Sequence, residues 1–466
     1  MAAFTLRSQL IQDWAPLCWV AHIPKSSGKF SSELFLSHGR NVEVHKEWAV
    51  EGVWPGQFAT GDFDLADLFF GSGVRVRDSR VIFVSTNSTL SRLVSTTNEQ
   101  GLFVSNSLPA LLVCSGGDIQ LDYLDYRVVL DRLKLGRPNL QLTVPLQSGD
   151  VTYTMLDDLI FDGESLDLAG KSDSAHDFIS FDDYYHFMSE NMEAIGQNLV
   201  DPTRRWPVIP VAAISNGYDS PTVAALSRHA GCKLAFTLDR ARAWKDISDS
   251  GAEIAQHLGM QPQVYERDPQ NFKDEASIWA ALGDSQDLNL TIFDYPQPVS
   301  VLFSGFFGDA LWERDSKVEI EQLHRLDTAG MSTCEFRLWQ GTIHCPVAFW
   351  GYRHGSSIKA ISLLPEMAPW TLGTAYDRPI CRRILETAGV PRGSFALRKS
   401  ATAVSDERIW PYSPDAATSF VNFLKSEAKC SEIEIQLANL SRFVTAFDRE
   451  FLLRVRERFR LSPRLS

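Results

Sequence analysis

The stretch "VAAISNGYDSPTVAAL", residues 211–226, is an apolar run that stops at Ser215-Asn216-Gly217-Tyr218-Asp219-Ser220 and restarts at once with helix-compatible residues. With the preceding Trp206 to Pro210 its first half reads as a strand buried on both faces. Its second half reads as a helix with Ser220 as N-cap, Pro221 at the first helical position and Gly231 as the stop. "CKLAFTLD" (232–239) then reads as a second buried strand, and "DISDSGAEIAQHLGM" (246–260) as a second helix with Ile254 and Leu258 on one face. "SVLFSGFFGDALW" (300–312) repeats the design of a strand followed by a glycine turn. Alternation of strand and helix implies a parallel sheet with helices on both faces.

The first ~165 residues carry a different pattern. "VIFVSTNSTL" (81–90), "GLFVSNSLPALLV" (101–113) and "LQLTVPLQSGDVTYTML" (140–156) alternate β-branched and aromatic residues between Gly, Asn and Ser, as strands do. The acidic, Ser-rich segment 162–183 reads as a linker, followed by a helix from about Tyr184 to Leu199. The last hundred residues place Phe420, Leu424, Ile433, Leu437, Leu440 and Phe443 at helical spacings. At 466 residues the chain is too long for one core, so two domains are expected, 1–165 and 166–466.

Charge and cysteine usage narrow the function classes. A net charge of −13 opposes a nucleic-acid partner, and the basic tail from Arg454 to Arg464 is short enough to be a solvated helix face. Seven cysteines without a C-x-x-C pair give no zinc spacing and fit thiols in a reducing compartment. No run approaches the ~18 apolar residues of a membrane span, and residues 1–14 hold no apolar leader, so a cytoplasmic protein without a membrane partner is expected.

In a parallel α/β sheet, the turn from a strand's carboxyl end into a helix is where ligands bind. First-turn N–H groups and the helix dipole favour an anion there, Gly217 permits close approach, and Ser215 and Ser220 add hydroxyls. Asp219 would repel phosphates unless a divalent cation such as Mg²⁺ lay between. A capped helix after a core strand is the plain alternative for this loop. The second loop, Ser304-Gly305-Phe306-Phe307-Gly308-Asp309, also ends on an acid, 90 residues downstream of Asp219, and favours a clamp for metal and pyrophosphate. A Walker P-loop is absent.

"SNGYDS" resembles the S-G-G-x-D-S pyrophosphate loop of the asparagine synthetase and β-lactam synthetase type of ATP pyrophosphatase. "FTLD", "FSGFFGDALW" and the basic "LRKSATAV" (397–404) follow in that family's order, and residues 79–112 and 140–150 are similar to parts of its glutamine amidotransferase domain. The resemblance implies an α/β protein: an antiparallel, β-rich amidotransferase-like (Ntn-type) domain, then a parallel-sheet ATP-pyrophosphatase domain with a helical C-terminal part. It also implies ATP-dependent adenylation of a carboxylate, release of pyrophosphate, and transfer of the acyl group to an amine. Ser215, Asn216, Gly217, Asp219 and Ser220 would cradle pyrophosphate, Leu238, Ser304 and Gly305 would lie against the AMP part, Asp219 and Asp309 would hold Mg²⁺, and Lys399 would stabilise the amide-forming step. The expected partner is a small-molecule or peptide substrate with a carboxylate, with a carrier or partner protein as a further candidate.

Three departures qualify what the resemblance implies. Asn216 stands where the family has glycine. Phe306 stands at a substrate-handling position, and a phenyl ring does no acid–base work. Ala2 stands where the glutaminase has its nucleophilic cysteine, and the first cysteine is Cys18, so the N-terminal domain is expected to be vestigial. A catalytically inactive relative that binds a nucleotide or a partner is the alternative. Arg378, Arg382 and Arg383 suit either an anion grip or a helix face paired with Glu386, and His324, His344 and His354 read as ordinary polar or packing residues.

Overall fold

A computed structural model describes residues 3–121, 123, 125–242, 245–282, 287–316, 318–324, 330–374, 376–396, 411–427 and 429–437. It is a mixed α/β structure with antiparallel sheets in the first part and a parallel sheet in the second.

The N-terminal part is a sandwich. An eight-stranded and a six-stranded sheet face each other, and their inward residues form one core: Trp19, Ile23 and Leu102 from the first meet Val74, Phe83 and Phe161 from the second. Pairing is antiparallel except between Thr5–Leu10 and Glu33–His38. One element departs from the strand reading of 101–113: the strand ends at Ser105, and Leu108–Ser115 is a helix. Ser107 caps it by accepting the Ala110 N–H, and Pro109 sits in its first turn, a start signal that outweighs the apolar run.

The supposed linker is partly structured. Leu166–Ala169 is the edge strand of the six-stranded sheet, and buried Lys171 pairs with Asp158 at 2.5 Å. Helix α1, Phe181–Leu199, follows with Ser180 as its cap.

Five parallel strands build the second part: β1 (Ile209–Ala213), β2 (Leu234–Leu238), β3 (Gln261–Tyr265), β4 (Ser300–Ser304) and β5 (Thr342–Pro346), in the order β3-β2-β1-β4-β5. Successive residues on β1 serve opposite faces. Ala212 packs with Val223 and Ala224 of α2 (Asp219–Ser227), and Val211 packs with Ile278 of α3 (Glu275–Leu282) and Phe336 of α4 (Thr333–Gln340). Helix α2 begins two residues earlier than expected, Tyr218 occupies the N-cap position, and Ser220 is therefore not the cap. The Tyr218 backbone is already in the right-handed helical region, φ −99° and ψ −53°, so the chain turns helical before Ser220 is reached.

A buried ionic network joins the two parts. Arg337 on α4 makes two 2.8 Å contacts with Glu51 of the strand Trp48–Val53, while Glu335 accepts from Ser107 Oγ at 2.7 Å and from the Leu108 N–H at 2.9 Å. Arg92 donates to the Ala281 carbonyl at 2.6 Å and lies 3.7 Å from Glu335.

Candidate functional site

In the strand order β3-β2-β1-β4-β5 all strands run parallel, but the side on which strands are added switches between β1 and β4: β2 and β3 lie to one side of β1, and β4 and β5 to the other. Such a switch point leaves a crevice at the carboxyl ends of its two strands. The loops that follow β1 and β4 are the two glycine-bearing loops singled out in the sequence. They touch. A Cβ on Gly305 would stand 2.7 Å from the Ser220 nitrogen, and one on Gly308 would stand 2.4 Å from Asp219 Cγ, so both positions require glycine. Gly217 is different: its missing side chain leaves ordinary space toward Ser215 Oγ and the Tyr376 hydroxyl, 3.4 and 3.6 Å away, and its φ is not left-handed.

Inside the first loop the polar groups are ordered. Ser215 and Ser220 hydroxyls lie 2.9 Å apart, and Ser220 Oγ accepts the Ser215 N–H at 3.0 Å. Asn216 donates its amide to the Ser248 carbonyl at 3.1 Å, and its backbone carbonyl accepts the Ala396 N–H at 2.7 Å. Position 216 thus fastens the loop to two other segments, and the side-chain tie to Ser248 is the one a glycine would not supply.

Asp219 is ion-paired with Arg378, a side chain only 2% exposed. Arg378 also reaches Glu313 at 3.3 Å and lies over the Tyr376 ring. Burial pushes the Asp219 carboxyl up to about 6; Arg378 pulls it back, and the charges of Asp309 and Glu313 push it further up. Arg382 donates to the Tyr218 hydroxyl at 2.5 Å and reaches Glu386 at 3.6 Å, whereas Arg383 turns away to Glu366 and Asp182. Two of the three arginines therefore flank the first loop.

The second loop holds a feature not seen in the sequence. Ser304 Oγ and His344 Nε2 are 2.7 Å apart, both residues are buried, and the Phe306 ring meets the imidazole edge-on at 5.3 Å. Burial, with the nearby Arg337 charge, lowers His344 to about 3, so it is neutral. Phe307 adopts left-handed backbone, φ 72°, and its ring packs on Phe349. The Ser304 hydroxyl is turned inward to His344, so only its backbone is left to meet a ligand. Leu238 likewise buries its side chain in the core with Phe236. Asp309, on the short helix Gly308–Leu311, is exposed. Lys399 and Ala2 lie outside the described residues.

Comparison with models of known protein families and with characterised proteins finds no match.

The set could take a polyphosphate only together with a cation. Three carboxylates (Asp219, Asp309 and Glu313) act on the same spot beside one buried guanidinium, an acid surplus that phosphate would meet only with positive charge between. Among the described residues no group of three or more His, Cys, Asp or Glu stands ready to hold a metal by itself, so phosphate oxygens would have to complete the shell. The N-terminal part offers no nucleophile at Cys18: its thiol is buried, and burial together with Glu335 raises it far above the ordinary range. All seven cysteines are free, and no helix among the described residues is long and apolar enough to cross a membrane.

Proposed function

We propose that this chain is an ATP-dependent ligase that adenylates a substrate carboxylate, releases pyrophosphate and joins the acyl group to an amine, without hydrolysing glutamine. One observation supports it most: the loops after β1 and β4 meet at the switch point, with Gly305 and Gly308 against Asp219 and Ser220. The phosphates would lie at the amino end of α2, where first-turn N–H groups and the dipole favour them. The nucleoside would lie toward β4 and its loop. Asp219 and Asp309 would hold Mg²⁺, which when bound neutralises phosphate charge. Arg378 would exchange its contact with Asp219 for phosphate oxygens, keeping the buried charges balanced. Phe306 presents an apolar wall, so the substrate acid would be apolar beside its carboxyl group.

A second reading is a nucleotide- or partner-binding protein without catalysis. It is favoured by the Asp219–Arg378 pair, which already neutralises the carboxylate, and by the tied-down Asn216. Incubating the full chain with Mg²⁺, ATP and extract-derived acids separates these possibilities. AMP with pyrophosphate supports the ligase, tight ATP binding with no turnover supports the second reading, and ADP with phosphate rejects both the family likeness and the ligase.

A further inference from the structure

His344 has no part in the chemistry above, yet it touches the second loop at two points. Its Nε2 lies 2.7 Å from Ser304 Oγ at the loop's first residue, and its ring edge meets Phe306 two residues on. Between Gly305 and Gly308, which must stay flush against Asp219 and Ser220, Phe307 holds a left-handed φ of 72°. A bulky residue in that conformation persists only where its surroundings fix it. A buried imidazole is also costly without a hydrogen-bond partner, and Ser304 supplies it. An apolar residue would fill the same space without that need, so the Ser304 bond is the feature that calls for histidine.

We propose that His344 is a positioning residue: through Ser304 and Phe306 it fixes the turn Gly305–Gly308 in the shape that receives the nucleoside half of the ligand. The inference rests on the nucleotide reading of the switch point. His344 itself touches no ligand. Its neutrality suits the role, because a cation there would face the nearby Arg337 charge. Loss of the imidazole would release the turn at its first residue and weaken contacts on the β4 side, while the phosphate contacts at the amino end of α2 persist.

The test is calorimetric titration of the full chain with ATP and, separately, with inorganic pyrophosphate, both in MgCl₂. His344→Phe keeps a ring against Phe306 but removes the bond to Ser304; Ser304→Ala removes the same bond from the other side; His344→Gln restores a partner for Ser304. His344→Phe and Ser304→Ala should each weaken ATP about 3- to 10-fold, the size of one neutral hydrogen bond. The double variant should be no weaker than either single one, because both remove the same interaction. His344→Gln should stay within about twofold of the unmodified chain, and pyrophosphate affinity should change less than about twofold throughout. A histidine that merely supports the core would lower the melting temperature and leave the ratio of ATP to pyrophosphate affinity unmoved. Unchanged ATP affinity in both single variants, or equal weakening of ATP and pyrophosphate, overturns the proposal while leaving the nucleotide reading intact. If the unmodified chain binds neither ATP nor pyrophosphate, the nucleotide reading fails and this inference with it. Ser304→Ala, the least disruptive change, keeps the test decisive if His344→Phe does not fold.

Discussion

Replacing Arg378 with methionine should destabilise the protein in a strongly pH-dependent way. The Asp219 carboxyl is pushed up to about 6 from an ordinary 3.8, chiefly by burial. An acid whose native value is raised binds its proton more tightly in the folded state, so its folding cost grows as pH rises between those two values. That cost reaches about 3 kcal/mol above pH 6 in the unmodified protein. Arg378 limits it; without the guanidinium, an ionised Asp219 and its neighbour Glu313 lose their counter-charge. Breaking a buried pair from one side costs about 3–5 kcal/mol, and that penalty applies at pH 8, where Asp219 is ionised. At pH 5 Asp219 is already mostly protonated, and the penalty should fall to about 1–2 kcal/mol of lost packing and the Glu313 contact. Unfolding entropy scales with length, so 466 residues melting together would shift about 1 °C per kcal/mol. Scanning calorimetry should therefore show a drop of about 3–5 °C at pH 8 and about 1–2 °C at pH 5. Adding Asp219→Asn should recover most of the pH 8 loss. An equal drop at both pH values, or no recovery in the double variant, would refute the assignment of Arg378 as the counter-ion of Asp219.

Gly308→Ala should abolish pyrophosphate binding in a titration while the fold persists, because its Cβ would stand 2.4 Å from Asp219 Cγ and must drive the two loops apart; retained affinity would show that the contact is dispensable. Arg337→Met should destabilise by about 3–5 kcal/mol in denaturant unfolding, since it strands Glu51 inside the junction of the two parts; a loss under 1 kcal/mol would mean that the network contributes little. Lys399→Ala should slow amide formation about 10²–10³ fold with ATP binding nearly intact, and unchanged turnover would remove Lys399 from the reaction. Glutamine added to the protein should yield no glutamate above background, given the buried Cys18 thiol; stoichiometric glutamate would contradict a vestigial first domain.

Three of the five parallel strands were legible, because β1, β2 and β4 are apolar runs, whereas β3 (QPQVY) and β5 (TIHCP) are broken by polar residues and carry no such signal. The helix read over 246–260 forms only over Ala252–His257, since Lys245–Ser248 pairs as a strand with Arg240–Arg242. The adjacency of the two loops was not legible as such, because it depends on β4 entering the sheet beside β1, and strand order leaves no local mark. For the same reason His344 passed as an ordinary histidine: its partner Ser304 is forty residues away and meets it only through the register of β4 with β5. The inward turn of Ser304 and the burial of Leu238 were hidden too, since composition does not say which face a strand-end side chain takes. Arg378 stood among three arginines with nothing in the sequence to single it out. The helix at Leu108 shows the reverse error, where a strong apolar run concealed a Ser-capped start with proline in its first turn.

The most direct test of the central claim is a crystal structure of the full chain with Mg²⁺ and an ATP analogue whose α,β-bridge is methylene, so that it cannot release pyrophosphate. The expected result places the triphosphate at the amino end of α2, between Ser215–Ser220 and Gly305–Gly308, with Arg378 turned from Asp219 to phosphate oxygen. Analogue bound elsewhere on the molecule, or none between the loops after β1 and β4 at saturating analogue, would contradict it.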